Sequence, residues 1–369
     1  MKLLVTGDWH IGVSTYGVLD EYGRNSRLLD VSATIDKVAQ LAIDQKVDAF
    51  ILCGDVFHTN RPSTEEQLVF MSFLMQMEKA QITTRIIIGN HDYNSQLGKG
   101  HALRLFQEMY WNHVKIMHET TWEALPGTKD ACLFCFYPFA GEKPDFAVKE
   151  KYYAHNRISK TLLVCHSHLE GAVVGAEPYE IKSDRATKFK DLLVDCVLAG
   201  HFHKPQVLCQ KPLAFYPGSI QAVDFNERLD TKGVVLLQTD DMSMEPAGFK
   251  SRPMVQLDIL TPTLTLDGIS VKDAIVKVNV SLAEADAHKF DERTIREQLI
   301  AAGAQSIASI NLKVARTLAQ RDPEIAVDSD IGANFKRYLK QKDYGDITVD
   351  VVEQGLQLIK DSADGDTSV

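Results

Sequence analysis

Five short apolar runs, KLLVT, AFILC, RIII, TLLV and CVLA, each end in a cluster of Asp, Asn and His. The clusters are GDWH (7–10), GDVFH (54–58), GNHD (89–92), CHSH (165–168) and GHFH (200–203). Runs this short and this uniformly apolar read as strands buried on both faces, which is the pattern of a largely parallel sheet covered by other layers. Strand ends that all carry polar clusters can converge on one edge. Such an edge is where an α/β fold keeps its chemistry, because the loops there are free of packing duties.

The stretches between the runs fit this class. Val31 to Asp44 places Ile35, Val38, Leu41 and Ala42 on one helical face. Pro62-Ser63 opens a second helix, with Ser63 and Glu66 spaced as a capping box and apolar Leu68, Met71 and Met75 repeating at three and four. The later strands, ACLFCFYPF, KTLLVCH, VDCVLAGH, PLAFYPGS and GVVLLQ, follow one another more closely. The fold class expected for residues 1–250 is therefore α/β, a β-sandwich flanked by helices.

A smaller α+β domain is expected over 251–319. It contains the strands VKVNVSL and SINLKVA, and between them a helix from Asp291 to Ala302 with Ile295, Leu299 and Ile300 inward and Gly303 as its C-cap. Residues 320–331 read as an acidic, proline-containing linker. Two helical patterns follow, around Phe335, Tyr338 and Leu339 and around Val349, Val352, Leu356 and Ile359. They either dock on their own domain or form a helix pair for a partner's groove. The terminal DSADGDTSV is expected to be disordered.

With 45% hydrophobic and 24% charged residues in 369, the chain has the composition of a water-soluble globular protein. No apolar run is long enough to span a membrane, and Met1 leads directly into the first strand, leaving no room for a cleaved signal peptide. The net charge of −10 argues against non-specific coating of DNA, but it neither supports nor excludes a nucleic-acid substrate at a metal-bearing site. The six cysteines are scattered and read as buried free thiols of a reducing compartment. Cys132 and Cys135 form a CxxC, but inside an apolar strand with no second pair at zinc spacing, so they read as structural.

Asp8 and His10 are two apart, as are His201 and His203, so each pair points one way from an extended segment. Asp55 follows Gly54 at a strand end and can bridge two cations through its two oxygens. Asn90 offers a neutral carbonyl oxygen, and His91 beside it suits a general acid. Gly54, Gly89 and Gly200 permit sharp turns that leave the next side chain free. Any one cluster is weak evidence. All five in this order point to two divalent metals and the cleavage of phosphate esters. His101, His113, His118, His155 and His288 have no such setting.

The order DxH, GDxx, GNHD, a lone His and GHxH resembles the calcineurin-like metallophosphoesterases over about residues 1–235. Within them, GDVFHTNRPS in place of GDxVDRG, and GNHD in place of GNHE, resemble the SbcD nucleases rather than the protein phosphatases. YPGSIQAVDFNE followed by KGVVLL resembles the same family. The resemblance implies a first metal on Asp8, His10, Asp55 and His203 and a second on Asp55, Asn90, His166 and His201. It implies that His58 orients the phosphate. CHSHLEG offers two histidines where the family shows one: the position directly after LLVC favours His166, with His168 as the alternative ligand or a substrate contact. Trp9 replaces a smaller residue and is expected to point into the core.

On this reading the metals are Mn²⁺, or Mg²⁺. The resemblance implies 3′-to-5′ exonuclease action on double-stranded DNA and endonuclease action on single strands or hairpins. It also implies a homodimer joined to an SbcC-like coiled-coil ATPase, with the C-terminal helices as the docking element. No membrane is involved, and the location is the cytoplasm of a bacterium or a phage-infected host. The alternatives are a metallophosphatase or cyclic-nucleotide phosphodiesterase on the same core, and a non-catalytic scaffold.

Overall fold

The computed structural model describes residues 1–94, 100–126, 131–139, 141, 143, 158–174, 179–180, 188–189, 192–315, 330–341 and 349–364. Its centre is two six-stranded sheets. The first runs in the order Met244–Gly248, Gly233–Gln238, Lys2–Thr6, Ala49–Leu52, Thr83–Ile87, Val114–Met117. The last four of these are parallel, and the two edge strands before them are antiparallel. The second sheet runs Gln206–Gln210, Leu213–Tyr216, Cys196–Gly200, Ile158–His166, Ala131–Tyr137, Thr121–Leu125, with a parallel centre and antiparallel edges.

Alternation along the strands accounts for the uniformly apolar runs. Leu3, Val5, Ala49, Ile51 and Cys53 point inward against Phe134, Phe136, Leu162, Val164, Cys196 and Leu198 of the other sheet. Leu4, Phe50 and Leu52 point outward, and there they meet the helices Ser26–Asp44 and Thr64–Lys79. On the far side of the second sheet, Leu163, Cys165, Val197, Ala199 and Tyr216 are covered by Leu169, Phe189 and Phe202. Both faces of both central sheets are buried, so neither shows a polar alternation. Five of the six cysteines are buried in these layers as free thiols, Cys132 and Cys135 among them, while Cys209 is partly exposed.

The first helix begins earlier than Val31, at Ser26, because Asn25 accepts the Arg27 N–H and caps it. The Ser63–Glu66 capping box forms as the spacing predicts. Its inner face is another matter. Leu68 and Met75 are 61% and 59% exposed, and Phe70, Phe73, Leu74 and Met77 are the buried set. The aromatic rings decide the rotation. Phe73 sits edge-on to Trp9 at 4.8 Å and Phe70 edge-on to Phe106 at 4.9 Å. Burying two phenylalanines removes more apolar surface from water than burying one leucine and one methionine. Trp9 lies in the core as expected and donates its indole N–H to Thr6.

A three-stranded sheet, Met254–Ile259, Ile275–Ala283, Ser306–Ala315, follows, with the helix Glu292–Ala301 before its last strand. Ile295 and Leu299 are buried there, but Ile300 is 54% exposed, because two residues already complete the face of so short a helix. Ala302 caps that helix, and Gly303 follows at φ +88°. Arg252, near the start of this region, grips both oxygens of Asp30 at 2.6 Å.

The chain divides into two compact units, 1–281 with 289–313, and 282–288 with 314–369. In the second, the helices Ile331–Gln341 and Val349–Asp364 lie against one another. A Cβ at Gly355 would stand 2.7 Å from the Phe335 ring, so glycine is what allows the close approach. The second helix runs to Asp364, into the segment expected to be disordered. The expected linker falls largely outside the described residues, as does His155. Among the described residues no helix is long and apolar enough to cross a membrane.

The rotation of the second helix is testable by urea denaturation. Phe73→Ala is expected to cost about 3–5 kcal/mol, and Leu68→Ala to stay within about 0.5 kcal/mol of the parent. Equal losses would put the wrong face inward.

Candidate metal centre

The polar clusters all emerge at one edge of the two sheets, and there the backbone is held in an unusual form. Asp8, His10, Asp55 and His201 have φ of +52°, +46°, +51° and +108°. Left-handed backbone is costly for residues with a Cβ, and it persists only where surrounding bonds enforce it. Here they do. Asp8 N–H donates to Gly54 O at 3.0 Å, His10 N–H to Asp55 O at 3.1 Å, Ile11 N–H to Val56 O at 2.9 Å and His58 N–H to Ile11 O at 2.9 Å. The two loops are thereby zipped together. Gly200 packs so closely on the Cys53 carbonyl oxygen that no Cβ fits between them. The third loop is tied in by Asp92, which is fully buried and accepts the N–H groups of Val56, Phe57 and Gly89 at 3.1, 2.9 and 3.0 Å. Asp92 stands in the GNHD motif but serves as a brace.

Among the described residues two groups of ligand-type atoms include a carboxylate, Asp8 with His10 and His203, and Asp55 with His166 and His201, each set of atoms within 4.8 Å, and a third, of imidazoles alone, is His10 with His58 and His91. His10 Nε2 and His203 Nε2 are 2.9 Å apart. Asn90 Oδ1 lies 2.9 Å from His166 Nε2 and 2.8 Å from His201 Nδ1. Asp55 stands between the groups. Its Oδ2 is 3.3 Å from His166 Nε2 and 3.7 Å from His10 Nε2. Its Oδ1 is occupied by the His91 backbone N–H at 2.9 Å, so a single oxygen, not two, faces both groups. His201 N–H donates to both oxygens of Asp8, at 2.9 and 3.2 Å.

Hydrogen bonds on the far sides of the rings fix which nitrogens are bare. His166 Nδ1 donates to the Cys53 carbonyl at 2.8 Å, leaving a lone pair on Nε2. His203 Nδ1 donates to Glu227 Oε1 at 2.7 Å, which leaves its Nε2 bare as well. In their neutral forms the near sides of the rings thus present acceptors to acceptors, so they must take up either protons or cations, and His10 Nδ1 is buried with no hydrogen-bond partner. Such an arrangement is incomplete without positive charge, and the mixed nitrogen and oxygen donors fit divalent cations.

The electrostatics carry the same demand. Burial pushes Asp8 up to about 6, with Asp55 adding to the rise and His166 and His203 opposing it. Burial would also raise Asp55, but His166, His10 and the His91 N–H outweigh it and hold Asp55 well below the usual carboxylate range. Burial disfavours charge on His166, yet Asp55 and then Asp8 drive it up to about 9. His201 is pushed down to about 3 by burial, then by His166 and His168. Glu227 resists its burial through His203 and Lys232 and falls to about 2. Lys232 Nζ holds the other Glu227 oxygen at 2.8 Å. Glu227 lies in the YPGSIQAVDFNE stretch, but nothing in its spacing from His203 marks it as that residue's partner.

The remaining candidates are close by. His91 Nδ1 donates to the His58 carbonyl at 2.8 Å, and the two rings stack at 5.5 Å, with His10 4.7 Å from His91. His168 reaches His201 rather than Asp55, with Nε2 atoms 2.8 Å apart. His101 bonds Gln107 and stacks on His118, away from the site.

The sequence model of the calcineurin-like phosphoesterases matches residues 1–205. Among curated proteins, the chain is 24% identical over 269 residues to the SbcD component of the SbcCD nuclease of Bacillus subtilis, covering 64% of this chain and 66% of that one. It is 24% identical to the DNA double-strand break repair protein Mre11 of Methanosarcina acetivorans, covering 100% of this chain and 59% of that one. It is also 24% identical to exonuclease subunit 1 of Enterobacteria phage T4, covering 65% of each. The chain thus spans no more than about two thirds of the length of these relatives. With the strand-edge cluster and a match over more than half its length, the chain belongs to the calcineurin-like phosphoesterases, a family of two-metal hydrolases of phosphate esters.

Proposed function

We propose that this chain is a two-metal-dependent DNA nuclease, a 3′-to-5′ exonuclease on double-stranded DNA and an endonuclease on single-stranded or hairpin DNA. The observation that carries the reading is Asp55 Oδ2 standing between two sets of ring nitrogens. The GDVFHTNRPS segment and the nuclease relatives give the substrate class. Asp8, His10, Asp55 and His203 would hold one cation, and Asp55, Asn90, His166 and His201 the other. Mn²⁺ suits four imidazoles better than Mg²⁺ does. Bound there, the cations supply Lewis-acid charge to the phosphate and an acidified water for in-line attack on phosphorus.

The chain's own groups do the rest. With its Nδ1–H fixed on the His58 carbonyl, His91 as the imidazolium would give its Nε2 proton to the leaving 3′-oxygen and be left as the neutral ring. His58, stacked beside it, orients the phosphate. Burial, then the charges of His91 and His203, push His58 below the ordinary histidine value. Glu227 pins the ring of His203, and Lys232 pins Glu227.

In the same reading, residues 1–250 form the nuclease domain and 251–319 a cap. Residues 320–369 contain the helix pair that docks an SbcC-like coiled-coil ATPase. The protein works as a homodimer in the cytoplasm, in DNA end processing, repair or recombination. Truncation after Gln320 is expected to abolish ATPase binding in a pull-down. Binding that survives it removes this role from the helices.

Manganese-dependent digestion of end-labelled linear double-stranded DNA is expected from the parent and not from Asp55→Ala. Appreciable cleavage by that variant sinks the scheme. His91→Ala is expected to keep its metal content, read by atomic emission, while kcat falls about 10²–10⁴-fold. Loss of metal would instead make His91 a ligand. Glu227→Ala is expected to weaken Mn²⁺ binding about 10–100-fold in titration calorimetry. An unchanged affinity would show that His203 needs no orienting partner.

A further inference from the structure

CHSHLEG carries a second histidine two residues beyond His166, and the fold places it against the opposite side of a different ring of the site. His168 Nε2 is 2.8 Å from His201 Nε2, with the ring centroids 4.2 Å apart and the planes at 88°. The two nitrogens are at hydrogen-bond distance, and which of them donates depends on the tautomers of the two rings. His168 is held there by its neighbours. Tyr216 OH donates to Ser167 O at 2.8 Å and accepts the Leu169 N–H at 2.7 Å, clamping the backbone on both sides of it. Phe202 packs against the His168 ring at 5.3 Å. The other nitrogen of His201, Nδ1, points at Asn90 Oδ1 at 2.8 Å.

His201 has two ring nitrogens and, when neutral, one proton. With the proton on Nδ1, donated to Asn90, Nε2 is an acceptor and His168 must donate. With Nδ1 given to a cation, the proton must sit on Nε2, and His168 Nε2 must accept it. A second histidine can do either by changing its own tautomer. A lysine could only donate, and a leucine could do neither. We propose that His168 is a positioning residue for the metal centre. It accepts the His201 Nε2 proton when Nδ1 is engaged, and so fixes the ring and strengthens Nδ1 as a donor. His203 has an equivalent partner in Glu227, and His166 in the Cys53 carbonyl, so three of the four ligand rings have a partner on the side away from the centre, while His10 Nδ1 has none.

The inference rests on the two-metal reading, so the test measures metal binding directly, without DNA. Mn²⁺ titration calorimetry on the full chain is expected to show two sites in the parent. His168→Phe, of similar shape but with no acceptor, is expected to weaken one of them about 10–100-fold. His168→Gln, whose amide oxygen can accept the same proton, is expected to recover most of that loss. If the parent binds fewer than two ions, the two-metal reading itself fails. If the parent binds two and His168→Phe binds both equally well, only the role of His168 fails. A rise in KM for DNA with unchanged metal affinity would make His168 a substrate contact and overturn the proposal. Ring nitrogen NMR of the parent needs no variant fold. On Mg²⁺ addition the His168 Nε2 signal is expected to move from protonated to bare, and a signal that stays protonated overturns the proposal.

Discussion

Asp55 has two oxygens and gives them different work. One is locked to the backbone N–H of His91 at 2.9 Å, and the other is left facing the rings of His10 and His166. Everything around the site follows from keeping that second oxygen in place. The left-handed turn at Asp55, the zipper between the first and second loops, and the buried brace of Asp92 all act on the same few atoms of backbone. A carboxylate buried among imidazoles holds its charge only because the rings share protons or cations with it. The low Asp55 and the raised His166 are two sides of one arrangement.

Second partners stand behind three of the four ligand rings, and His10 has none. A carbonyl at Cys53, a carboxylate at Glu227 and a ring at His168 each bond a histidine on the side away from the centre. The carbonyl and the carboxylate can only accept and so impose a defined tautomer, whereas the ring at His168 can follow either tautomer of His201. The strained backbone sets where the rings stand, and the partners set which way they face.

Much of this was legible in the sequence. The five motifs each follow a strand, and the local chemistry of Asp, Asn and His near glycine is readable without a fold. The capping box at Ser63 and Glu66 is local in the same sense and forms as spelled. What failed needed tertiary information. Leu68 and Met75 repeat at helical spacing as well as Phe70 and Phe73 do, and only the neighbouring rings of Trp9 and Phe106 choose between them. Ile300 satisfies the same periodicity, but the short helix before the last strand has no surface left to cover it. Glu227 lies 24 residues beyond its partner on an irregular turn, where no period or spacing applies. Asp92 looks like a ligand by residue type, and three backbone N–H groups make it a strut instead.

The residues of the centre run from position 8 to position 203, and Asp8 accepts the backbone N–H of His201. The first loop of the chain thus touches the fifth only after both sheets have closed on one another. No fragment ending before the GHFH turn contains the full set, so the affinity of the site reports on completion of the whole sandwich rather than on any loop. A cation that binds only the closed form adds its binding energy to global stability, about 2.7 kcal/mol per site at a hundredfold excess over Kd. During synthesis, the loop at Asp8 must wait for nearly two hundred more residues before it can hold an ion with the full set.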